Sequence, residues 1–434
     1  MSMLKPHPLR ESLHNEVHAR PYERMSAPLA LSHLALLTPP GETASRVHLH
    51  ALLKSRHLPL PSEEAGHLSI DLGGVRLRWE QHTEFQTYTF WRQLPDNPSS
   101  FEPTAVASVP QDWLRDVPGQ WLVGLHVLVT STREDGHDAL VRGSLDEESL
   151  IGSTVMDGQA EVYTDFRLHG DGFGRVVLVA ASMHPRRLGR TVQRLLEVET
   201  YRMTALMGLP AAREVSATLA DAERDLAQIA GQIRSAEQDR EPELLRQLTQ
   251  LAGRVESLYA STHARFSASA AYFELVQRRI DELHEHRLAG LQTIGEFMDR
   301  RLGPAMQTCA WAARRQQQLS ERISRTSNLL RTRVEIEQQQ SSKELLDAMN
   351  KRQEVQLRLQ SAVEGLSVAA ITYYGAGLVG YLAKGGKEAG LLPLSPEVLV
   401  AGSIPLIALM VWSGLRRLHQ MAHRVAGREV LNPH

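Results

Sequence analysis

Gly365 to Ala383 reads GLSVAAITYYGAGLVGYLA, and Val398 to Leu415 reads VLVAGSIPLIALMVWSGL. Neither run contains Asp, Glu, Lys or Arg. A bilayer core about 30 Å thick is crossed by roughly 17–25 helical residues, so each run is long enough to span. The pair predicts a C-terminal two-helix transmembrane hairpin. Small residues in both runs, among them Gly375, Gly377 and Gly380, then Gly402, Ser403 and Ser413, favour close packing in a membrane over two buried helices of a soluble core. The spans are set at 362–383 and 397–416, with an external loop at 384–396 and a basic cytoplasmic tail at 417–434.

Flanking charge gives an orientation. Lys351, Arg352 and Arg358 precede the first run, Arg416, Arg417, Arg424 and Arg428 follow the second, and the connecting loop holds Lys384 and Lys387. Cytoplasmic flanks are enriched in Lys and Arg, so both termini are expected inside. The opening MSMLKPHPLRESLHNEV has no apolar segment of the secretory type, so the body is expected in the cytoplasm. The lone Cys309 excludes an intramolecular disulfide and a Cys-based zinc cage, in keeping with a reducing compartment. With 48 basic and 50 acidic residues the formal charge is -2, so no global field draws the chain to nucleic acid.

Upstream of the membrane segment the 434-residue chain divides into three parts. An arm at 1–24 leads into an α+β domain at 25–183 with a largely antiparallel sheet. There His67–Leu72, Gly73-Gly74 and Val75–His82 form a hairpin signal, followed by a strand at Phe85–Arg92. Trp121–Thr130 suits a buried strand, and Ala160–Leu168 and Gly174–Ala181 flank the turn HGDGFG. Helices are expected at Glu42–Arg56 and Thr104–Asp116. Residues 79–173 hold 11 of the 23 aromatics, which places the compact core here.

From Pro185 the pattern is helical, giving a coiled-coil-like stalk at 184–361. Leu219, Ala222, Leu226, Ile229, Ile233 and Ala236 recur at steps of three and four, and Leu244, Leu248, Leu251, Val255 and Leu258 repeat the pattern. The turn around Pro242 predicts an antiparallel helix pair. A third helix is expected to start at Pro304 and to run about 120 Å, into the first span.

Three stretches, HPLRESLHNEVHARP near the N-terminus, GRTVQRLLEVETYRMTALMGLP and LQSAVEGLSVAAITYYGAGLVGYL, resemble the domain-of-unknown-function 3422 family of bacterial membrane-anchored proteins. That resemblance implies a bacterial inner-membrane location and no assigned activity. The order of parts also resembles the CorA-type magnesium channels, with their cytoplasmic α/β domain, long stalk helix and two C-terminal spans. The Gly-Met-Asn signature that follows the first span in those channels is missing, and Gly380-Tyr381-Leu382 stands near its place. The resemblance implies a homo-oligomer and a divalent cation as cargo, as an oligomeric CorA-like channel or transporter. The rival expectation is a membrane-anchored scaffold or sensor without transport.

Side chains that could line a polar path are Glu364 at the start of the first span, Thr372 and Tyr373 within it, and Gly380. Elsewhere the chemistry reads as structural. His14, Glu16 and His18 in HNEVHARP lack a third ligand for zinc, and His14, His18 and Arg20 are expected to bond the arm to the body, with Pro21 ending a helix. His48 and His50 are read as satisfied histidines, and His284-Glu285-His286 as a solvated helix face. HGDGFG and AKGGKEAG lack the Gly-Lys-Ser/Thr of a phosphate loop, and no Gly-x-Ser-x-Gly elbow occurs. Neither a cofactor nor an enzymatic activity is expected.

Overall fold

A computed structural model of the chain describes residues 7–11, 13–14, 21–39, 41–62, 65–131, 136–180, 183–235, 240–388 and 395–429. It divides into two compact units, 1–328 and 329–434. The first joins the sheet domain to most of the expected stalk.

The elements of the first unit are β1 (Leu29–Leu37), α1 (Ala44–Ser55), β2 (His67–Asp71), β3 (Arg76–Gln81) and β4 (Phe85–Gln93). Then come α2 (Gln111–Arg115), β5 (Gln120–Thr130), α3 (Gly136–Ser144), β6 (Ile151–Val155), β7 (Ala160–Thr164) and β8 (Gly174–Val179). The helical part consists of α4 (Pro185–Leu206), α5 (Gly208–Ser235), α6 (Glu241–Leu283), the short β9 (His286–Arg287) and the start of α7 (Ile294–Glu388). Thr104–Asp116, expected as one helix, is a 3-10 turn at Val106–Ser108 followed by the five-residue α2, because Pro110 interrupts it.

The nine strands form one sheet in the order β2-β3-β4-β1-β5-β8-β7-β6-β9. Every pairing between these strands is antiparallel except β5 with β8. Gly73 and Gly74 both have positive φ, +92° and +86°, which is what a two-residue turn between β2 and β3 requires. β1 lies inside the sheet between β4 and β5, and eight of its nine residues are buried. Such a strand shows no polar alternation, which is why its sequence gave no periodic signal.

One face of the sheet carries Leu34, Leu77, Trp79, Tyr88 and Phe90 and is covered by Leu49, Leu52 and Leu53 of α1. On the opposite face Leu29, Leu31, Leu125 and Val127 pack with Leu188, Val192, Leu195 and Leu196 of α4. Gly189 lets the arm cross α4 closely, since a Cβ there would overlap the backbone oxygen of Glu23. Met25 N–H donates to Pro185 O at 3.1 Å in the same crossing.

In the helical layer Leu219, Ala222, Leu226 and Ile229 of α5 and Leu244, Leu248, Leu251 and Val255 of α6 are buried as the three-four spacing predicts. Asp225 accepts from Arg254 at 2.5 Å across the antiparallel pair. The third helix starts ten residues before Pro304. Thr293 and Glu296 form a reciprocal capping box, with Glu296 N–H donating to Thr293 Oγ1 and Thr293 N–H to Glu296 Oε2. Glu285 adds acceptors for the N–H groups of Ile294 and Gly295, at 3.0 and 2.7 Å. His284-Glu285-His286 is therefore not a helix face. His284 ends α6 in the left-handed region, Glu285 caps α7 and His286 belongs to β9. Pro304 sits inside α7, which forgoes one backbone hydrogen bond there.

The second unit holds the rest of α7 and α8 (Pro396–Glu429), with Pro405 inside the latter. Both helices are long and apolar enough to cross a membrane. Lys384–Glu388, expected as loop, is the last turn of α7.

Candidate functional site

The chain offers two candidate places: the paired apolar helices and a polar cavity in the sheet unit. The apolar segment of α7 has a narrow face turned to α8. A Cβ on Gly375 would lie 3.1 Å from Ile407, and one on Gly380 would lie 3.3 Å from Val400. Ala376 and Ala383 on the same stripe are buried. Thr372 lies one turn before Ala376 on that stripe, and its hydroxyl donates to Val368 O at 2.7 Å, within its own helix. Glu364, half-buried, accepts from Gln360 at 3.4 Å. Tyr373, Tyr374 and Tyr381 point the other way and are 75–80% exposed. Of the four pore-lining candidates, Thr372 and Gly380 thus lie toward α8 and Tyr373 away from it, while Glu364 is bonded within its own helix. Gly377 has open space around it, so of the three glycines read as packing residues in this run Gly375 and Gly380 take part.

The cavity is built by strand register. Cross-strand partners set Arg78, Thr89, His33 and Leu125 in one row, and Glu80, Thr87, Ala35 and Val123 in the next. All point toward α4, because side chains two apart on a strand share a face. On the β1–β5 side this face is apolar, whereas on the β3–β4 side it is polar and still buried. Arg78 and Glu80 are each 6% exposed, and Thr87 and Thr89 each 4%. Above them lies a cavity of about 390 Å³. Gln193, Glu197, Thr200 and Tyr201 of α4 close it, with Arg279 of α6 and with His82 and Tyr22 at its margin.

The polar groups are held in place. Arg78 Nη2 donates to Glu80 Oε1 at 2.9 Å and Nη1 to Pro21 O at 3.0 Å. Arg279 donates to Glu197 through Nε and to Glu282 through Nη1. Gln193 donates to the other Glu197 oxygen at 2.9 Å. His33 Nδ1 lies 2.8 Å from Thr89 Oγ1, and its Nε2 lies 3.1 Å from Thr200 Oγ1. Thr200 gives its single proton to Leu196 O, so His33 must donate from Nε2 and accept at Nδ1. Burial lowers the His33 pKa to about 4, which keeps the ring neutral. Burial also raises the Tyr201 phenol well above its ordinary range, so it remains a donor.

Two of the stretches that carry the family resemblance meet here. The arm supplies Pro21 O, and the α4 stretch supplies Gln193, Glu197, Thr200 and Tyr201. His18 and Arg20, expected with His14 to bond the arm to the body, lie outside the described residues, and among those described Pro21 O accepts from Arg78. Sequence reasoning missed the cavity. Its one signal was the alternation in Arg76-Leu77-Arg78-Trp79-Glu80-Gln81, whose polar half reads as solvent-facing until α4 is laid over it.

Elsewhere, Ser32 Oγ lies 2.9 Å from His126 Nδ1, and His126 Nε2 lies 3.6 Å from Asp171. Ser32 is fully buried and accepts from Val106 N–H, and burial lowers the His126 pKa to about 4. The cluster ties β1 to β5 and to the HGDGFG turn, and Ser32 offers no exposed nucleophile. His48 bonds Trp113 O at 2.8 Å, while His50 Nε2 is buried without a hydrogen-bond partner, contrary to the satisfied histidine expected there. Among the described residues no group of three metal-ligating side chains gathers.

Comparison with known families finds that residues 5–422 match the one described as protein of unknown function (DUF3422). Comparison with curated proteins finds no match.

Proposed function

This chain belongs to that family of unknown function, and on that premise we propose that it is a membrane-anchored sensor or scaffold protein that does not transport ions. The two apolar helices form the anchor. The α+β unit faces the bacterial cytoplasm, as the Lys and Arg flanks and the single cysteine suggest. The observation that carries the reading is the glycine contact of α7 with α8. Gly375 and Gly380 are spent on packing within one chain, as in a self-contained hairpin, and a pore would need that stripe turned toward an axis shared between subunits.

Three measurements test it. Reporter fusions at His434 and between residues 389 and 394 should report the first inside and the second outside. Purified protein in liposomes should pass no divalent cation, and Thr372→Cys in a Cys309→Ser background should resist small water-soluble thiol reagents. Magnesium flux that is blocked by modifying Thr372→Cys would instead establish the channel.

A further inference from the structure

The geometry points to a binding site for a small zwitterion of the free amino-acid type in the cavity between the β3–β4 side of the sheet and α4. The inference concerns the sheet unit and goes beyond the anchoring reading. It begins with a cost that folding does not explain. A sheet face whose task was to hold α4 would be lined as its neighbours are, by Leu29, Leu31 and Val127. Instead Arg78 and Glu80 are taken out of water, and a buried ion pair is often no more stabilising than apolar side chains of the same volume. Buried charges lining a cavity are characteristic of sites that recognise charge.

The charge pattern selects the ligand. Each wall carries one guanidinium and one carboxylate, Arg78 with Glu80 on the sheet and Arg279 with Glu197 on the helices. The four sum to zero, so a lone phosphate or metal ion meets attraction and repulsion together. A molecule bearing both signs can set its carboxylate against the guanidiniums and its ammonium against the carboxylates. Arg279 engages its protein partners through Nε and Nη1, and no described residue bonds its Nη2. Each Glu197 oxygen accepts one hydrogen bond and has a second lone pair to offer. His33 has both nitrogens satisfied by threonines and adds no charge. Tyr22, Phe85 and Tyr201 supply apolar surface for a side chain, and about 390 Å³ falls within the usual range of small-molecule sites.

The test is thermal unfolding of the detergent-solubilised full chain with each common free L-amino acid in large excess, with glucose and inorganic phosphate as neutral and singly signed probes. A ligand that binds the folded state raises Tm by mass action. At least one amino acid should raise Tm by several degrees, and glucose and phosphate should not. Thr87→Leu, which fills the cavity and keeps every charge, and Arg279→Gln, at a partly exposed position, should each abolish the shift. If Thr87→Leu does not fold, Arg279→Gln decides. The site is disproved if no amino acid shifts the wild type, if the shift survives the variants, or if glucose or phosphate alone produces it. The liposome result is independent, so either reading can fail without the other.

Discussion

Gly375 of α7 packs directly against Ile407 of α8, and five residues on, Gly380 packs against Val400. The two contacts run in opposite chain directions and so fix an antiparallel register for the apolar helices. In a Cys309→Ser background, Gly380→Cys with Val400→Cys should form an intramolecular disulfide on mild oxidation, because bridged Cβ atoms sit about 3.5–4.5 Å apart. Tyr381→Cys with Val400→Cys should not, since Tyr381 faces away. Gel mobility with and without reductant reads the difference.

Leu248 is fully buried in the seam between α5 and α6. Leu248→Asp places a carboxylate there without a partner and should cost about 3–5 kcal/mol. Urea unfolding followed by circular dichroism measures the loss, and an unchanged midpoint would mean that the seam opens to water.

Gly189 is required by the arm that crosses α4 at Glu23. Gly189→Ala would gain helix propensity in isolation, yet the methyl group must push the Glu23 backbone away. The expected net effect is a loss of about 1–3 kcal/mol, as for overpacking in a filled interior. Faster proteolysis N-terminal to Met25 should accompany the lower midpoint.

Acid should weaken the sheet unit through its buried histidines. His33 and His126 titrate near 6.5 when unfolded and near 4 when folded, in both cases chiefly because burial disfavours the charged ring. Between these values the unfolded chain binds protons that the folded one does not. Stability is therefore complete above about pH 6.5 and falls toward pH 4, by up to about 1.4 kcal/mol per pH unit for each histidine. His33→Gln removes one of the two contributions, and its stability measured from pH 7 to pH 4 should decline less steeply than that of the wild type.

The apolar runs, the Gly73-Gly74 hairpin, the strand at Trp121–Thr130 and the leucine stripe from Leu219 to Leu258 were determined by sequence, because each rests on periodicity or turn chemistry among near neighbours. The start of α7 was also written locally, in Thr293-Ile294-Gly295-Glu296, although Pro304 drew the reading away from it. Tertiary structure decided what depends on residues far apart in the chain. β1 is recognisable as an interior strand once β4 and β5 lie on either side. Arg78, Glu80 and His33 become a buried polar wall only when α4, more than a hundred residues later, covers them. Which faces of Thr372, Tyr373 and Gly380 meet α8 was settled by the packing of two helices, since a run of small and apolar residues is nearly uniform around its axis and carries too little contrast to orient itself.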